Sequence, residues 1–361
     1  MRLGALCAGY GGLELGLHLA GIDTDLVWVS ETDKHASVVL DARFGVPNLG
    51  DLTEIADPPQ VDAITAGFPC QPVSHAGRRA GIDDERWLIR DVVSVAERAG
   101  AQWLFLENVR GVLTANQGVA FGQVLDALAD GGFDARWACV RADQSVGACH
   151  RRDRWFCVAY ASGVGRESGA RQLASAGRRV ASERAAGDVE PGGGDLPAAY
   201  ASGERHGGQQ DVGVVGCVGT QPEGSGRQAL AARQEPVDRG AASVADADSP
   251  GRGEQCGSVP VEQKLRSPER GGSQVGWGDY ADAIARWEWA SGRCAPAPVT
   301  DSKLSSRFVE WMMGLPEGWV TGVGLSRSQE LKMLGNGVVP QQAAAAYGWL
   351  LEQTGRDDGN S

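Results

Sequence analysis

The segment Gly67-Phe68-Pro69-Cys70-Gln71-Pro72-Val73-Ser74 sets a thiol between two prolines in an otherwise polar loop. Prolines stiffen the backbone, and the polar neighbours Gln71 and Ser74 favour presenting the sulfur over burying it. Cys70 is therefore a candidate nucleophile, although a lone cysteine is more often inert filling. Further on, Phe105-Leu106-Glu107-Asn108-Val109 ends an apolar run in a carboxylate and an amide. A carboxyl group beside an apolar wall can keep its proton to higher pH and act as an acid near neutrality. Without the cysteine loop, a capping or salt-bridging glutamate is the better reading of Glu107. His150-Arg151-Arg152-Asp153-Arg154 leads into Trp155-Phe156-Cys157-Val158, and strand alternation would give Arg152 and Arg154 a common face. Near the start, Cys7-Ala8-Gly9-Tyr10-Gly11-Gly12 offers glycines that let a backbone turn tightly and approach a ligand ahead of a helix N-terminus. Such turns are common, so this signal alone is weak. Glu31 with Asp33, and Asp51 in Gly50-Asp51-Leu52, stand where carboxylates accept hydrogen bonds from ribose hydroxyls; each taken singly is as readily a solvated loop acid.

The elements needed to position these groups can be read from the pattern. Short β-like runs at Leu3–Ala8, Leu26–Ser30, Ala63–Gly67, Trp103–Asn108 and Trp155–Val158 alternate with helix-like stretches at Leu13–Ala20, His35–Phe44, Arg86–Ala99 and Ala120–Ala129. That rhythm predicts an α/β fold, a mostly parallel sheet covered by helices, over residues 1–161. The cysteine loop then falls at the carboxyl end of a strand, the edge where open α/β sheets bind ligands. Residues 162–276 change to Gly, Ser, Arg, Ala and Gln with little periodicity, and are expected to be a largely disordered, low-complexity insertion. Order is expected to return with the tryptophan-rich stretch 277–306, a candidate small recognition region, and with 307–352, which rejoins the first part. Helices are expected at Ala281–Trp289 and Ser305–Met313, and Gly335-Asn336-Gly337 is expected to open a last helix, Pro340–Glu352; residues 353–361 read as a disordered tail.

The formal net charge of -12 argues against a polyanion as partner, since Lys and Arg normally supply most of that affinity. Its distribution weakens the objection: residues 1–150 carry -9, whereas 151–300 carry only -1 and include Arg-rich patches such as Arg178-Arg179. The eight cysteines lack CxxC or paired short spacings, so neither a metal site nor a disulfide framework is expected, and most read as small buried hydrophobes. No apolar run reaches membrane-spanning length, and a cytoplasmic protein is expected.

Taken in order, Pro69-Cys70-Gln71, Glu107-Asn108-Val109, the Arg152-x-Arg154 pair and Gly335-Asn336-Gly337-Val338-Val339 resemble the cytosine carbon-5 DNA methyltransferase family. Val140-Arg141-Ala142-Asp143 with Gly147 is also similar, and Arg307-Phe308-Val309-Glu310-Trp311-Met312-Met313-Gly314-Leu315-Pro316 resembles the segment before the last motif of phage-type members. The likeness covers residues 1–160 and 295–351. It implies a Rossmann-like domain that uses S-adenosyl-L-methionine to methylate carbon 5 of a cytosine flipped out of double-stranded DNA. Cys70 would attack carbon 6, Glu107 would protonate or hydrogen-bond the ring, Arg152 would reach the base carbonyl, and Arg154 would support Glu107 or a phosphate. The donor would be held by Cys7, Gly9, Gly11, Gly12, Glu31, Asp51, Pro69 and Asn336, with Gln71, Ser74 and Asn108 facing DNA. A monomer is implied, with no metal. Two positions depart from the family: Cys7 stands where Phe is usual, and His150 where Gln is usual. A transfer-RNA methyltransferase with the same motifs, or a silent DNA-binding module on the same scaffold, are the alternatives; the long insertion and phage-type late motif favour DNA.

Overall fold

A computed structural model describes residues 1–69, 87–162 and 275–354, together with the backbone of 219–220. Residues Met1–Gly226 and Gly276–Ser361 form one compact unit, and Arg227–Val275 a second, of which Val275 alone is described. The expectations for Cys70, Gln71, Ser74, most of 162–276 and the end of the tail lie outside the described residues.

The core is one sheet in the order β2-β1-β3-β4-β6-β5-β7. Its strands are β1 (Arg2–Leu6), β2 (Asp25–Ser30), β3 (Ala63–Ala66), β4 (Trp103–Val109), β5 (Phe133–Arg141), β6 (Asp153–Ala161) and β7 (Gly219–Thr220). The first four pair in parallel, whereas β4, β6, β5 and β7 pair antiparallel. The sheet is thus mixed, with a parallel half built by helical crossovers and an antiparallel half built by a hairpin. The fold is the α/β arrangement that the alternation predicted and Rossmann-like as the resemblance implied, with β5, β6 and β7 adding an antiparallel half to a sheet expected to be mostly parallel.

Helices α1 (Gly12–Leu19), α2 (Lys34–Phe44), α3 (Ile89–Arg98) and α4 (Val119–Asp130) follow the parallel strands, with the single turn α5 (Ala142–Ser145) after β5. The later chain adds α6 (Ala281–Ser291), α7 (Ser306–Met312), α8 (Arg327–Asn336) and α9 (Pro340–Thr354). Two apolar layers cover the sheet. On one side Ile64, Leu104, Leu106, Val92, Val95 and Leu128 pack together beneath α3 and α4. On the other, Phe105, Phe156 and Tyr347 meet edge to face at 5.2 and 5.5 Å between centroids, joined by Leu17 and Ala343. Gly16 permits the close approach of α1 to α9, since a Cβ there would lie 2.6 Å from that of Ala343.

Several expectations are corrected. Strand β5 lay inside a stretch left unassigned, and β1 stops at Leu6 instead of Ala8 because Cys7 turns the chain at φ 50°. Asn336 ends helix α8 and does not open α9, which runs to Thr354 and absorbs the first two residues of the expected tail. Helix α8 starts with a capping box, in which Ser326 and Gln329 satisfy each other's end of the turn. Residues 277–306 sit in the same compact unit as the sheet: Trp287 donates its indole N–H to the Trp311 carbonyl at 2.9 Å and packs with Ala142, Ala148 and Phe308. No disulfide was expected, yet Cys139, fully buried in the core, is disulfide-bonded, while Cys7, Cys149, Cys157 and Cys294 are free thiols. Among the described residues no helix is long and apolar enough to cross a membrane, and no three metal-ligating side chains cluster.

Candidate functional site

Strand register assembles the site. Leu6 pairs with Ser30 on one side and Ala66 on the other, and Ala66 pairs with Leu106. The next residue of each strand therefore stands in one row along the carboxyl edge: Cys7, Glu31, Gly67 and Glu107. Four distant sequence signals become neighbours because parallel strands all end on the same side.

Glu107 lies opposite Phe156 in the antiparallel β4–β6 ladder, so Arg154, two residues before Phe156, is its diagonal neighbour on the same face. The guanidinium Nε of Arg154 meets Glu107 Oε1 at 3.0 Å. Glu107 is 8% exposed, on the face that carries Phe105 and Phe156. Burial pushes its carboxyl pKa up, and the Arg154 and Arg152 guanidinium groups only partly offset this. Its other oxygen, Oε2, faces Gly67, where a Cβ would come within 3.6 Å. A Cβ at Gly67 would rest against the acid in ordinary van der Waals contact.

Arg152 and Arg154 do not share a strand face. Strand β6 begins at Asp153, and Arg152 sits before it in the left-handed region at φ 29°, which breaks the alternation. The two arginines converge on Glu107 by a different route: Arg152 donates from its terminal nitrogen to the carbonyls of Gly337 and Gly335, the latter at 3.4 Å. Its Nε is buried with no partner among the described residues. Gln342, fully buried on α9, donates to the carbonyls of Arg152 and Val140 at 2.7 and 2.8 Å, fixing this turn. Sequence reading missed Gln342, since a polar residue inside a helical pattern gives no sign of being interior.

Asn108 is also buried. Its amide donates to the Phe68 carbonyl at 3.2 Å and accepts from the Val109 N–H at 2.8 Å, so it braces the stem of the cysteine loop instead of facing outward. Pro69, half-buried, is the last described residue of that stem.

On the other half of the row, Glu31 accepts from the Gly9 and Asp33 N–H groups, both at 2.8 Å. Asp51 caps the short turn Leu52–Glu54 through Thr53 and is exposed. Both carboxylates act on Cys7: with burial as the larger cause, they raise its thiol pKa to about 12. Cys7 is no thiolate at neutral pH. Gly9, at φ 58°, and Gly50, at φ 75°, would each carry a Cβ into open space with nothing within 4 Å. An open floor of glycine backbone rimmed by two carboxylates fits the ribose and amine groups of a nucleoside-like donor. Gly11 and Gly12 also have a packing role, since a Cβ would strike the Phe44 ring or Tyr10 and the Val338 carbonyl. Asn336 is exposed at the end of α8.

Residues 1–179 match the family model for the C-5 cytosine-specific DNA methylase. The chain is 37% identical over 163 residues to the type II methyltransferase M.BsuFI of Bacillus subtilis, covering 44% of this chain and 39% of that one. It is 40% identical over 128 residues to M.HgiCI of Herpetosiphon aurantiacus, covering 34% and 30%, and 34% identical over 165 residues to M2.BsuMI of Bacillus subtilis, covering 44% and 42%. The matched stretch spans less than half the length of these relatives. It contains every strand of the parallel half and the whole row from Glu31 to Glu107, and on this ground residues 1–179, which build the site, carry the pattern of the C-5 cytosine-specific DNA methylase family.

Proposed function

We propose that the protein methylates carbon 5 of cytosine in DNA, with S-adenosylmethionine as donor and Cys70 as covalent nucleophile. The observation that carries this reading is the register-made row in which the glycine floor, Glu31, the stem of the cysteine loop and Glu107 adjoin. The donor, when bound against Gly9, Glu31 and Asp51, supplies an electrophilic methyl group. Everything else falls to side chains of this chain. Cys70 attacks carbon 6 as a thiolate, the sulfur–carbon bond forms, and electron density moves to carbon 5. Glu107, whose carboxyl burial shifts toward the protonated form, donates to the ring nitrogen where negative charge would otherwise build. Arg154 holds one Glu107 oxygen, which leaves the other for the base. The unpartnered Nε of Arg152 is the donor available to the base carbonyl. Carbon 5 would then form its bond to the methyl group as the methyl–sulfonium bond breaks and S-adenosylhomocysteine leaves; loss of the carbon-5 proton to a base, return of the ring proton to Glu107 and cleavage of the sulfur–carbon bond regenerate the thiolate. A base inside a duplex hides both faces, so the cytosine must be extruded to reach this edge.

Cys7, Cys149 and Cys157 compete poorly for the nucleophile's role. Burial raises the Cys149 thiol to about 11 and the Cys157 thiol further, and the carboxylates around Cys7 disfavour its anion. The test is a trap. DNA containing 5-fluorocytosine, which has no removable proton at carbon 5, should give a denaturation-resistant adduct with the wild type and none with Cys70→Ala. A wild type that binds DNA yet forms no adduct with any sequence overturns the proposal.

A further inference from the structure

The loop Cys7–Gly12 has three residues at positive φ, namely Cys7, Gly9 and Gly11, and such a backbone does not hold its shape unaided. Its own ladder gives it one tight turn, Gly11 N–H to the Ala8 carbonyl at 2.9 Å. The decisive support arrives from far along the chain. Trp319, 1% exposed, donates its indole N–H to the Tyr10 carbonyl at 2.8 Å. Its ring stands edge-on to Phe44 at 5.8 Å, and Phe44 is the ring on which Gly11 rests.

Trp319 is itself built into a scaffold. The buried Glu310 carboxylate gathers the N–H groups of Gly318, Val320 and Thr321 at 2.8, 2.6 and 2.9 Å, and the Thr321 hydroxyl at 2.9 Å. Arg43 donates from Nε to the Trp319 carbonyl at 2.8 Å and from a terminal nitrogen to the Gly318 carbonyl, with its guanidinium 5.4 Å over the Trp319 ring. The turn that carries the indole is thus satisfied from both sides. This leaves the Tyr10 carbonyl as the indole's outlet and the glycine loop as what it orients.

We infer that Trp319 is a positioning residue for the methyl-donor site, its indole N–H holding the Tyr10–Gly11 peptide in the orientation that keeps the glycine floor open. The inference rests on reading the glycine loop as the donor site. Because Trp319 acts on that loop and not on Glu107 or the cysteine loop, it governs donor affinity and leaves the chemical step and DNA binding alone.

The full-length protein is tested as wild type, Trp319→Phe, which keeps a ring and loses the N–H, and Arg43→Gln. S-adenosylhomocysteine binding is followed by calorimetry, and the KM values for donor and DNA by steady-state assay. One buried hydrogen bond corresponds to about fivefold weaker donor binding in Trp319→Phe, with kcat and the DNA KM within about twofold. Arg43→Gln, which removes two hydrogen bonds to the turn that carries Trp319, should weaken donor binding in the same selective way by about fivefold. If Trp319→Phe does not fold, Arg43→Gln decides. Donor affinity unchanged in the deciding variant, or an equal loss for donor and DNA, overturns the inference. A wild type that fails to bind S-adenosylhomocysteine would instead overturn the donor-site reading beneath it.

Discussion

The two ends of the row along the sheet edge are built from different materials. At the Cys7–Glu31 end the floor is backbone: glycines at positive φ, amide N–H groups, and carboxylates already satisfied by their own chain. At the Glu107 end the floor is ionic, with a buried acid between two arginines, of which Arg152 has its backbone carbonyl held by Gln342 and its guanidinium held by the Gly337 carbonyl. The first end makes room and the second holds charge. A ligand bound through shape needs space and a fixed peptide, whereas charge that appears during a reaction needs a protonated group in a dry setting.

That contrast is broken most severely at Glu107. Glu107→Gln removes the proton donor but keeps its size, and should lower turnover about 100-fold or more while DNA affinity changes by less than about threefold. The wild-type rate should fall as pH rises through the raised pKa of Glu107, because the protonated form is the competent one; the variant should lose that limb. Steady-state rates across pH beside filter-binding affinities give the answer, and matching losses of rate and affinity would refute the role.

The joint between the two ends is Tyr10, whose hydroxyl donates to the Val338 carbonyl at 2.6 Å. Gly337 packs flat on its ring, and a Cβ there would lie 1.8 Å from a ring carbon. Gly337→Ala should therefore cost about 3 kcal/mol through overpacking, since no small side-chain shift makes that space. Urea unfolding measures it. A variant as stable as the wild type would mean that the late glycine turn does not clamp the two ends together.

How legible this contrast was in the sequence follows from its materials. The ionic end could be read, because carboxylate and arginine at strand ends are chemical signals that survive without geometry; so could the parallel strands, whose apolar runs are bounded by turns. What failed was of two kinds, local breaks in a regular pattern and contacts with partners far along the chain. Arg152 was placed on a strand face by alternation, and a single left-handed residue undid this. Strand β5 was overlooked because Asp134 and Arg136 interrupt it, although Phe133, Ala135, Trp137 and Cys139 alternate onto one buried face. Helix α8 finds no counterpart among the expected elements because it buries only Glu330, Met333 and Leu334, too narrow a stripe to register. Tyr10, Trp319 and Gln342 act through contacts that no local pattern announces.

Glu14 sharpens the comparison from beneath. It lies on α1 just past the glycine loop, buried, with one oxygen accepting from the Thr65 hydroxyl and the other without a partner among the described residues. Desolvation is the dominant cause of its pKa rising from 4.5 to about 6. A carboxyl whose native pKa is raised costs nothing below its unfolded pKa, where both states are protonated. The cost grows as pH passes from about 4.5 to about 6 and is complete above, at roughly 2 kcal/mol for a shift of this size. Glu107 titrates in the same direction but is present in both proteins, so its effect cancels in a difference. The stability of Glu14→Gln relative to wild type should therefore climb by about 2 kcal/mol between pH 4.5 and pH 7.5 and then level off. Urea unfolding at a series of pH values reads this directly. A difference that stays flat across the range would mean that Glu14 reaches water or a counter-charge, and that the backbone-built end carries no buried acid of its own.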